Sequence, residues 1–330
     1  MFESVEQVEE ALGQQQYICD AKIATTVFLA EKLEKPVLIE GPAGVGKTEL
    51  AKAVAGATQR NIIRLQCYEG LDEAKALYEW EYSKQLLYTQ ILKDRFTRLM
   101  DGASTIKEAA SLVGKEDSVF FSDNFLVPRP LLSAITSDEP QLLLVDEVDK
   151  SDPEFEAFLL EVLSDFQVTV PEIGTFEARR KPLVFLTSNN AREMSDALKR
   201  RCLHLYIDFP SEDLEKRILQ TKVPGAAEAL VEDLVSMMQN LRKLDLKKTP
   251  SISETLDWAR ALLALNAQDL DEKLVNQTFN VILKYEGDVR KAQGELQKLL
   301  EKKATEAQAK EPAVSAEAPK PAPAKKGALH

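Results

Sequence analysis

Eight residues near the start of the chain have the composition and spacing of a phosphate-binding loop. They are Gly41, Pro42, Ala43, Gly44, Val45, Gly46, Lys47 and Thr48. Glycines let successive backbone N–H groups turn towards one anion. The ammonium of Lys47 can then reach the β- and γ-phosphates of a nucleotide, while the hydroxyl of Thr48 can ligate Mg²⁺. The pattern predicts an ATP site; the plainer alternative is a glycine-rich turn followed by a surface lysine.

The segments on either side of this loop favour the ATP site. Residues 37–40 are apolar and β-like, and residues 47–55 have helical periodicity. The loop would therefore join a strand to the N-terminus of a helix, where backbone N–H groups and the helix dipole attract anions.

Two adjacent carboxylates follow a second apolar strand, Leu142 to Asp146. In an open α/β sheet, ligands bind at the carboxyl ends of the strands. Asp146 can hold Mg²⁺ through its water shell, and Glu147 can act as the general base that polarises the water attacking the γ-phosphate. Taken alone, such a pair is more often a solvated strand end. Its distance from the phosphate-binding loop favours the catalytic role.

Two weaker signals follow further along the chain. Asn189 comes after the strand 182–187 and would place an uncharged amide near the attacking water, although an asparagine there is commonly a turn residue. Arg200 and Arg201 precede the strand 203–207, where the alternative is a solvated basic helix end that complements the helix dipole. Asn189, Arg200 and Arg201 indicate a catalytic role only in combination with the two stronger motifs.

The hydrophobic pattern up to residue 209 predicts an α/β fold. Apolar β-like runs alternate with amphipathic helices, which is typical of a parallel sheet covered by helices on both faces. The runs are 37–40, 62–66, 142–146, 183–187 and 203–207, with a helix at 153–163. Residues 166–178 alternate like two short strands, which indicates an inserted hairpin. We therefore expect an αβα nucleotide-binding domain over residues 1–209.

Beyond Phe209 the strand signals stop. Ser211 is a suitable helix N-cap, and apolar residues then recur at helical spacing, so residues 210–303 should form a small all-helical lid domain. Residues 304–330 are rich in Ala, Pro, Lys and Glu. They lack the large apolar side chains that would offset the entropy of ordering, which predicts a disordered tail.

The composition limits the remaining classes of function. A formal net charge of −12 argues against an extended nucleic-acid surface, so we expect no nucleic-acid partner. The cysteines Cys19, Cys67 and Cys202 show no paired spacing, and neither a disulfide framework nor a zinc site is indicated. The N-terminus lacks the basic start and apolar core of a signal peptide, and no apolar run approaches the roughly 20 residues of a membrane helix. We expect a cytoplasmic protein without a membrane span.

Together these motifs resemble those of the AAA+ ATPases and, within them, the MoxR family. Residues 41–48 match the family's Walker A motif, and residues 142–147 match its Walker B motif. Asn189 stands at the sensor 1 position, and Arg201 best matches the arginine finger, with Arg200 the close alternative. The resemblance implies a P-loop AAA+ fold with a lid and an ATPase that uses ATP and Mg²⁺.

The resemblance covers about residues 10–300 and implies partners as well. The arginine finger acts in trans on a neighbour's ATP, which implies a homo-oligomeric ring, usually a hexamer. In MoxR-like systems the client is often a metalloenzyme awaiting its cofactor, and the helper is usually a von Willebrand factor A domain protein. The implied function is that of a remodelling chaperone.

Finer features point in the same direction, with one departure. The hairpin at 166–178 is similar to the insertion that sets the MoxR-containing branch apart, and residues 65–72 and 76–80 are similar to the subgroup found with carbon monoxide dehydrogenase maturation genes. The departure is in the sensor 2 region, 250–255, which has no arginine; the nearest is Arg260. This places the coupling of lid motion to hydrolysis in question and implies slow turnover.

Two rival functions belong to other classes. A nucleic-acid motor is disfavoured by the acidic composition and by the lack of an appended helix-turn-helix or zinc finger. A slow ATP-dependent regulatory switch is favoured by the missing sensor 2 arginine and disfavoured by the intact pair of Asp146 and Glu147.

Overall fold

The computed structural model describes residues 2–88, 90–91, 105, 125–171, 173–267 and 270–294. The tail expected at 304–330 lies outside the described residues. None of the helices within these ranges is long and apolar enough to cross a membrane.

The structure consists of α-helices and β-strands, which are numbered here in chain order. They are α1 (Val5–Gln14), α2 (Ala21–Leu33), β1 (Val37–Glu40), α3 (Lys47–Thr58), β2 (Asn61–Gln66), α4 (Glu73–Leu77), β3 (Tyr78–Trp80), β4 (Leu126–Pro128), α5 (Pro130–Thr136), β5 (Gln141–Asp146), α6 (Pro153–Asp165), β6 (Gln167–Val170), β7 (Gly174–Glu177), β8 (Leu183–Ser188), α7 (Asp196–Arg201), β9 (Leu203–Tyr206), α8 (Glu212–Lys222), α9 (Glu228–Lys243), α10 (Ile252–Ala264) and α11 (Glu272–Ile282). A short 3₁₀ helix, Val148–Lys150, follows β5.

The centre of the fold is a five-stranded sheet in the order β2-β5-β8-β1-β9. All neighbouring strands in it are parallel. The α/β fold class expected from the sequence is therefore confirmed. Strand β1 has the expected bounds, and the other four differ from expectation by one residue at one end.

The three central strands β5, β8 and β1 are buried on both faces, as their largely apolar sequences require. On β5, Leu142 and Leu144 pack into one cluster with α1, α2 and α3, whereas Leu143 and Val145 pack into another with α5 and α6. This alternation follows from the two-residue period of a strand. A slip of one residue would exchange the two faces, so core packing also fixes where the polar end of β5 lies.

Two short antiparallel pairs lie outside the central sheet. β6 and β7 pair between α6 and β8, with Val168 opposite Phe176. β3 and β4 pair with Trp80 opposite Leu126. The sequence analysis does not delineate β3 and β4, because a three-residue strand is too short for the alternation of polar and apolar residues to be visible.

All the secondary-structure elements that the structure describes after β9 are helices. Ser211 caps α8 by accepting a hydrogen bond from the N–H of Leu214. On α9 the apolar residues at helical spacing are all buried; they are Leu230, Leu234, Met237, Met238 and Leu241. They form a core with Trp258 of α10, which is separate from the two clusters of the sheet.

A buried ion pair joins the first two helices of this region. The side chains of Glu215 on α8 and Arg242 on α9 are 0% and 7% exposed, and two hydrogen bonds of 2.6 Å connect them. Arg242 also donates from Nε to the carbonyl oxygen of Pro250 at 2.9 Å and lies over the ring of Phe209. The pair therefore fixes α8, α9 and the turn before α10 relative to one another.

We expect Glu215→Ala to destabilise the helical region by about 3–5 kcal/mol, because Arg242 would keep a buried charge without a counter-ion. Urea unfolding followed by the fluorescence of Trp258, in a Trp80→Phe background, measures the change. Lys216→Ala is the matched control on the same helix, since Lys216 pairs with Glu212 at the surface, and it should change little. Equal unfolding midpoints for the two variants would contradict this assignment.

Candidate active site

Four parallel strands end at one edge and bring the sequence motifs together. β1 leads into the loop 41–48, β5 ends at Asp146, β8 ends just before Asn189, and β2 ends at Gln66. Ligands of open α/β sheets bind at this edge. The residues predicted for phosphate, metal and water thus share one site.

The phosphate-binding loop approaches its surroundings closely at two glycines. Gly41 (φ 148°) lies against the backbone of Ile207, and a Cβ at this position would overlap the carbonyl oxygen of Ile207. A Cβ at Gly44 (φ 76°) would overlap the hydroxyl of Ser251. The loop then enters α3, where Gly46 supplies no side-chain cap. The first N–H groups of α3 are therefore available to an anion.

Lys47 is buried within the loop. Its Nζ donates to the carbonyl oxygens of Gly41 and Pro42, each at 2.7 Å. Burial lowers the pKa of Lys47 to about 8, although three nearby carboxylates, of which Asp149 has the largest effect, act in the opposite direction. A bound phosphate would supply further negative charge and favour the protonated ammonium.

Asp146 is a buried carboxylate that accepts hydrogen bonds from three elements. The hydroxyl of Thr48 on α3 lies at 3.1 Å, the hydroxyl of Thr187 on β8 at 2.5 Å, and the guanidinium of Arg64 on β2 at 2.5 Å. A hydroxyl and a carboxylate are hard oxygen ligands of the kind that Mg²⁺ takes. Since Thr48 and Asp146 are already in contact, this donor set fits the metal that the sequence implies.

Glu147 has an unusual backbone and a well-anchored side chain. Its φ of 57° is left-handed, which costs a non-glycine residue about 1–2 kcal/mol, and its N–H donates to the hydroxyl of Thr187 at 2.9 Å. One carboxylate oxygen accepts from the Asn189 amide at 3.2 Å; the other accepts from Gln66 at 2.9 Å and Lys150 at 2.5 Å. Backbone strain of this kind is concentrated at functional sites.

Asp149 positions the loop that carries Asn189. One of its oxygens accepts the N–H groups of Asn189 and Ala191 at 3.1 and 2.9 Å, whereas Oδ1 is buried without a partner in the described part of the chain. Asp149, Arg64 and Gln66 are not among the site residues predicted from the sequence. For Asp149 a signal existed, because it lies three residues after Asp146 in an acidic run.

A cavity of about 620 Å³ adjoins the loop on the side of the C-terminal helices. Four groups of residues line it: residues 16–20, Lys22 and Ile23 before and within α2; Val45, Gly46 and Glu49 of the loop and α3; residues 206–211; and side chains of α8 and α10. The volume is that of a typical small-molecule site and suits a nucleoside. The sequence motifs located only the phosphate end, because the lining residues come from segments that share no motif.

The C-terminal helices touch the loop directly. The N–H and hydroxyl of Ser253 donate to the carbonyl oxygen of Gly44 at 3.3 and 3.1 Å. The region expected as sensor 2 therefore lies against the phosphate-binding loop. Arg260 pairs with Asp257 at the surface, at 3.2 Å.

Arg200 and Arg201 lie away from this cluster. β9 begins at Leu203, which pairs with Val37, the first residue of β1. Both arginines therefore lie near the amino edge of the sheet, opposite the loop that follows β1. Their side chains are exposed, and Arg201 donates from Nε to the hydroxyl of Ser164 at 2.8 Å.

Several families of P-loop proteins share this architecture, and the sequence of this chain matches one of them. Residues 36–202, which hold the loop, Asp146, Glu147 and Asn189, match the AAA domain of the dynein-related subfamily. The chain belongs to this AAA domain family. Nucleotide binding is the property that membership implies.

Relatives resemble the AAA protein over most of its length. An uncharacterized protein of Staphylococcus haemolyticus is 25% identical over 241 residues, which cover 71% of this chain and 78% of that protein. An uncharacterized protein of Staphylococcus aureus is 26% identical over 252 residues, covering 73% and 82%. Among solved structures, a point mutant of Thermotoga maritima RuvB has a TM-score of 0.46 and 16% identity, covering 85% of this chain and 71% of that one. The Thermotoga maritima RuvB Holliday junction branch migration motor has a TM-score of 0.43 and 16% identity, covering 83% and 69%.

We expect nucleotide binding by the AAA domain to weaken as the pH rises above about 8. The Lys47 ammonium is expected to bind phosphate, and burial lowers its pKa to about 8 in the free protein. The apparent dissociation constant of a fluorescent ADP should therefore rise roughly fivefold from pH 8 to pH 9. Cys19 in the cavity stays protonated in this range, because burial raises its pKa to about 11.

Lys47→Ala serves as the control for this titration. It should bind more weakly at every pH and show a flat profile between pH 7 and pH 9. An equally flat profile for the wild-type protein would show that the proton of Lys47 plays no part in binding.

Proposed function

We propose that this AAA protein hydrolyses ATP as a ring and remodels a protein client in the manner of the MoxR family. The observation that carries the proposal is the contact between the Glu147 carboxylate and the Asn189 amide, at the edge where the phosphate-binding loop and Asp146 converge. A base and an uncharged donor would thus lie beside the position of a γ-phosphate. Family membership supports the nucleotide, and the sequence resemblance supports the MoxR type.

The loop residues would bind and orient the triphosphate. Lys47 exchanges its bonds to the carbonyls of Gly41 and Pro42 for phosphate oxygens, and the N–H groups at the start of α3 complete the cradle. Thr48 and Asp146 would hold Mg²⁺, which neutralises charge on the phosphate oxygens when bound.

Glu147 would act on the nucleophile. Its Oε1 accepts from Asn189, and no other donor among the described residues reaches that oxygen, which leaves a lone pair for water. Glu147 accepts a proton as the water oxygen bonds to the γ-phosphorus and the bridging bond to ADP breaks. The products are ADP and phosphate.

The client and the partners are part of the same proposal. The Ser253 contact with Gly44 would pass nucleotide-dependent change to the C-terminal helices, and the hairpin of β6 and β7 would act on the client. We infer a metalloenzyme awaiting its cofactor as client and a von Willebrand factor A domain protein as helper. The support is the likeness of residues 65–72 and 76–80 to the subgroup found with carbon monoxide dehydrogenase maturation genes. The lack of an arginine in residues 250–255 favours slow turnover.

Arg201→Ala should abolish ATP turnover while leaving nucleotide affinity and folding nearly unchanged, because the arginine acts on a neighbouring subunit. A loss of about 10³-fold or more is the usual effect of removing an arginine finger. Mixing Arg201→Ala subunits with Lys47→Ala subunits should restore part of the activity, since the second variant supplies Arg201 to the intact loop of the first. Steady-state phosphate release at constant total protein measures this.

Two further variants make the test specific. Arg179 is exposed and pairs with Asp138 at 2.8 Å, so Arg179→Ala should behave as the wild type. Arg200→Ala decides which of the two adjacent arginines acts. Full activity in a dilute monomer, with Arg201→Ala unaffected, would rule out the ring.

Glu147→Gln should bind ATP without hydrolysing it and should therefore hold the client longest. Affinity capture from the native cell with ATP present should recover a metal-free metalloenzyme and a von Willebrand factor A domain protein with Glu147→Gln. Lys47→Ala, which should bind nucleotide much more weakly, should recover much less of both. Equal recovery by the two variants, or recovery of nucleic acid instead, would count against a protein-remodelling role.

A further inference from the structure

The guanidinium of Arg64 hydrogen-bonds the Asp146 carboxylate, which is the group that a metal ion would use. Arg64 lies on β2, the strand at the edge of the sheet, next to β5. Its Nη2 donates to Oδ2 of Asp146 at 2.5 Å and to the side-chain oxygen of Gln66 at 2.6 Å. The Arg64 side chain is 52% exposed, whereas that of Asp146 is 4% exposed. A cation at the rim of the site therefore reaches a buried anion within it.

Arg64 is the cation that hydrogen-bonds Asp146 directly, whereas Lys47 interacts with the same carboxylate only at longer range. The hydroxyls of Thr48 and Thr187 satisfy hydrogen-bonding positions of the carboxylate but bring no charge. Lys47 directs its Nζ to backbone carbonyl oxygens of the loop. Because a buried carboxylate is costly without a countercharge, Arg64 stabilises the site before any metal arrives.

We propose that Arg64 competes with Mg²⁺ for Asp146 and so makes metal binding depend on the nucleotide. The inference rests on the proposed ATP site. Two cations at one carboxylate repel each other, and a guanidinium already bonded there lowers the affinity of the empty site for Mg²⁺. The negative charge of nucleotide phosphates shifts the balance towards the metal. Arg64 thereby keeps Mg²⁺ from binding alone.

Arg64→Gln tests this, because it removes the charge and keeps an amide that can donate to Asp146. The affinity for a fluorescent, non-hydrolysable ATP analogue is measured from EDTA to millimolar Mg²⁺. The half-saturating Mg²⁺ concentration should fall on the order of tenfold in Arg64→Gln, as expected for losing one unit charge a few ångströms away. Arg64→Lys, which keeps the charge, should stay near the wild-type value.

The controls separate local charge from general effects. Arg179→Gln makes the same change of charge at the surface and should leave the Mg²⁺ requirement unchanged. Nucleotide-free protein gives a second readout: millimolar Mg²⁺ should raise the melting temperature of Arg64→Gln and leave that of the wild type unchanged. Arg64→Met, which keeps an unbranched stem, repeats both measurements if Arg64→Gln folds poorly.

Failure of this inference can be told apart from failure of the proposed ATPase. An unchanged or higher Mg²⁺ requirement in the neutral variants, with normal binding of the analogue, overturns the role of Arg64 and leaves the proposed ATPase standing. A wild-type protein that does not bind the analogue at any Mg²⁺ concentration overturns the proposed function itself.

Discussion

A carboxylate buried where parallel strands end governs the arrangement of this site. At 3% exposure Asp146 needs donors on several sides, and it takes them from α3, β8 and β2. The sheet order, with β5 between β2 and β8, is what lets these donors reach one residue. The hydroxyl of Thr187 serves twice, because it donates to Asp146 and accepts the N–H of Glu147. The hydrogen bonds of Asp146 thus also help to determine the position of Glu147.

The site has two chemically different halves. The strand ends supply carboxylates, amides and hydroxyls for phosphate chemistry, whereas the adjoining cavity is lined by residues such as Tyr17, Ile207 and Ile218. Burial raises the pKa of Tyr17, so its hydroxyl is a neutral group at any physiological pH. A ligand with a charged end and an apolar end fits a site composed of these two halves. The C-terminal helices line the cavity half and also touch the phosphate-binding loop, where Ser253 hydrogen-bonds Gly44.

The parts of the site that could be predicted from sequence are those carried by local patterns. The loop before Thr48, the strand before Asp146 and the strand before Asn189 are each visible within a few residues, and the apolar runs placed the five strands of the central sheet to within one residue. Arg64 and Gln66 could not be found in this way. Their partners lie about 80 positions away in sequence, and the contacts exist only because β2 is the neighbour of β5. The cavity was missed for the same reason, since strand order and helix packing, which are nonlocal, assemble it.

The contact between the C-terminal helices and the loop has a consequence for ionic strength. The N–H and hydroxyl of Ser253 and the carbonyl of Gly44 carry no formal charge, so dissolved salt does not screen this contact in the way it screens separated charges. Arg200 and Arg201, by contrast, are exposed cations at the opposite edge of the sheet, where dissolved salt screens their attraction to any anion. Concentrated salt therefore affects the two kinds of contact differently: the Ser253–Gly44 contact within one chain persists, whereas an ion pair between these arginines and an anion on another molecule would weaken.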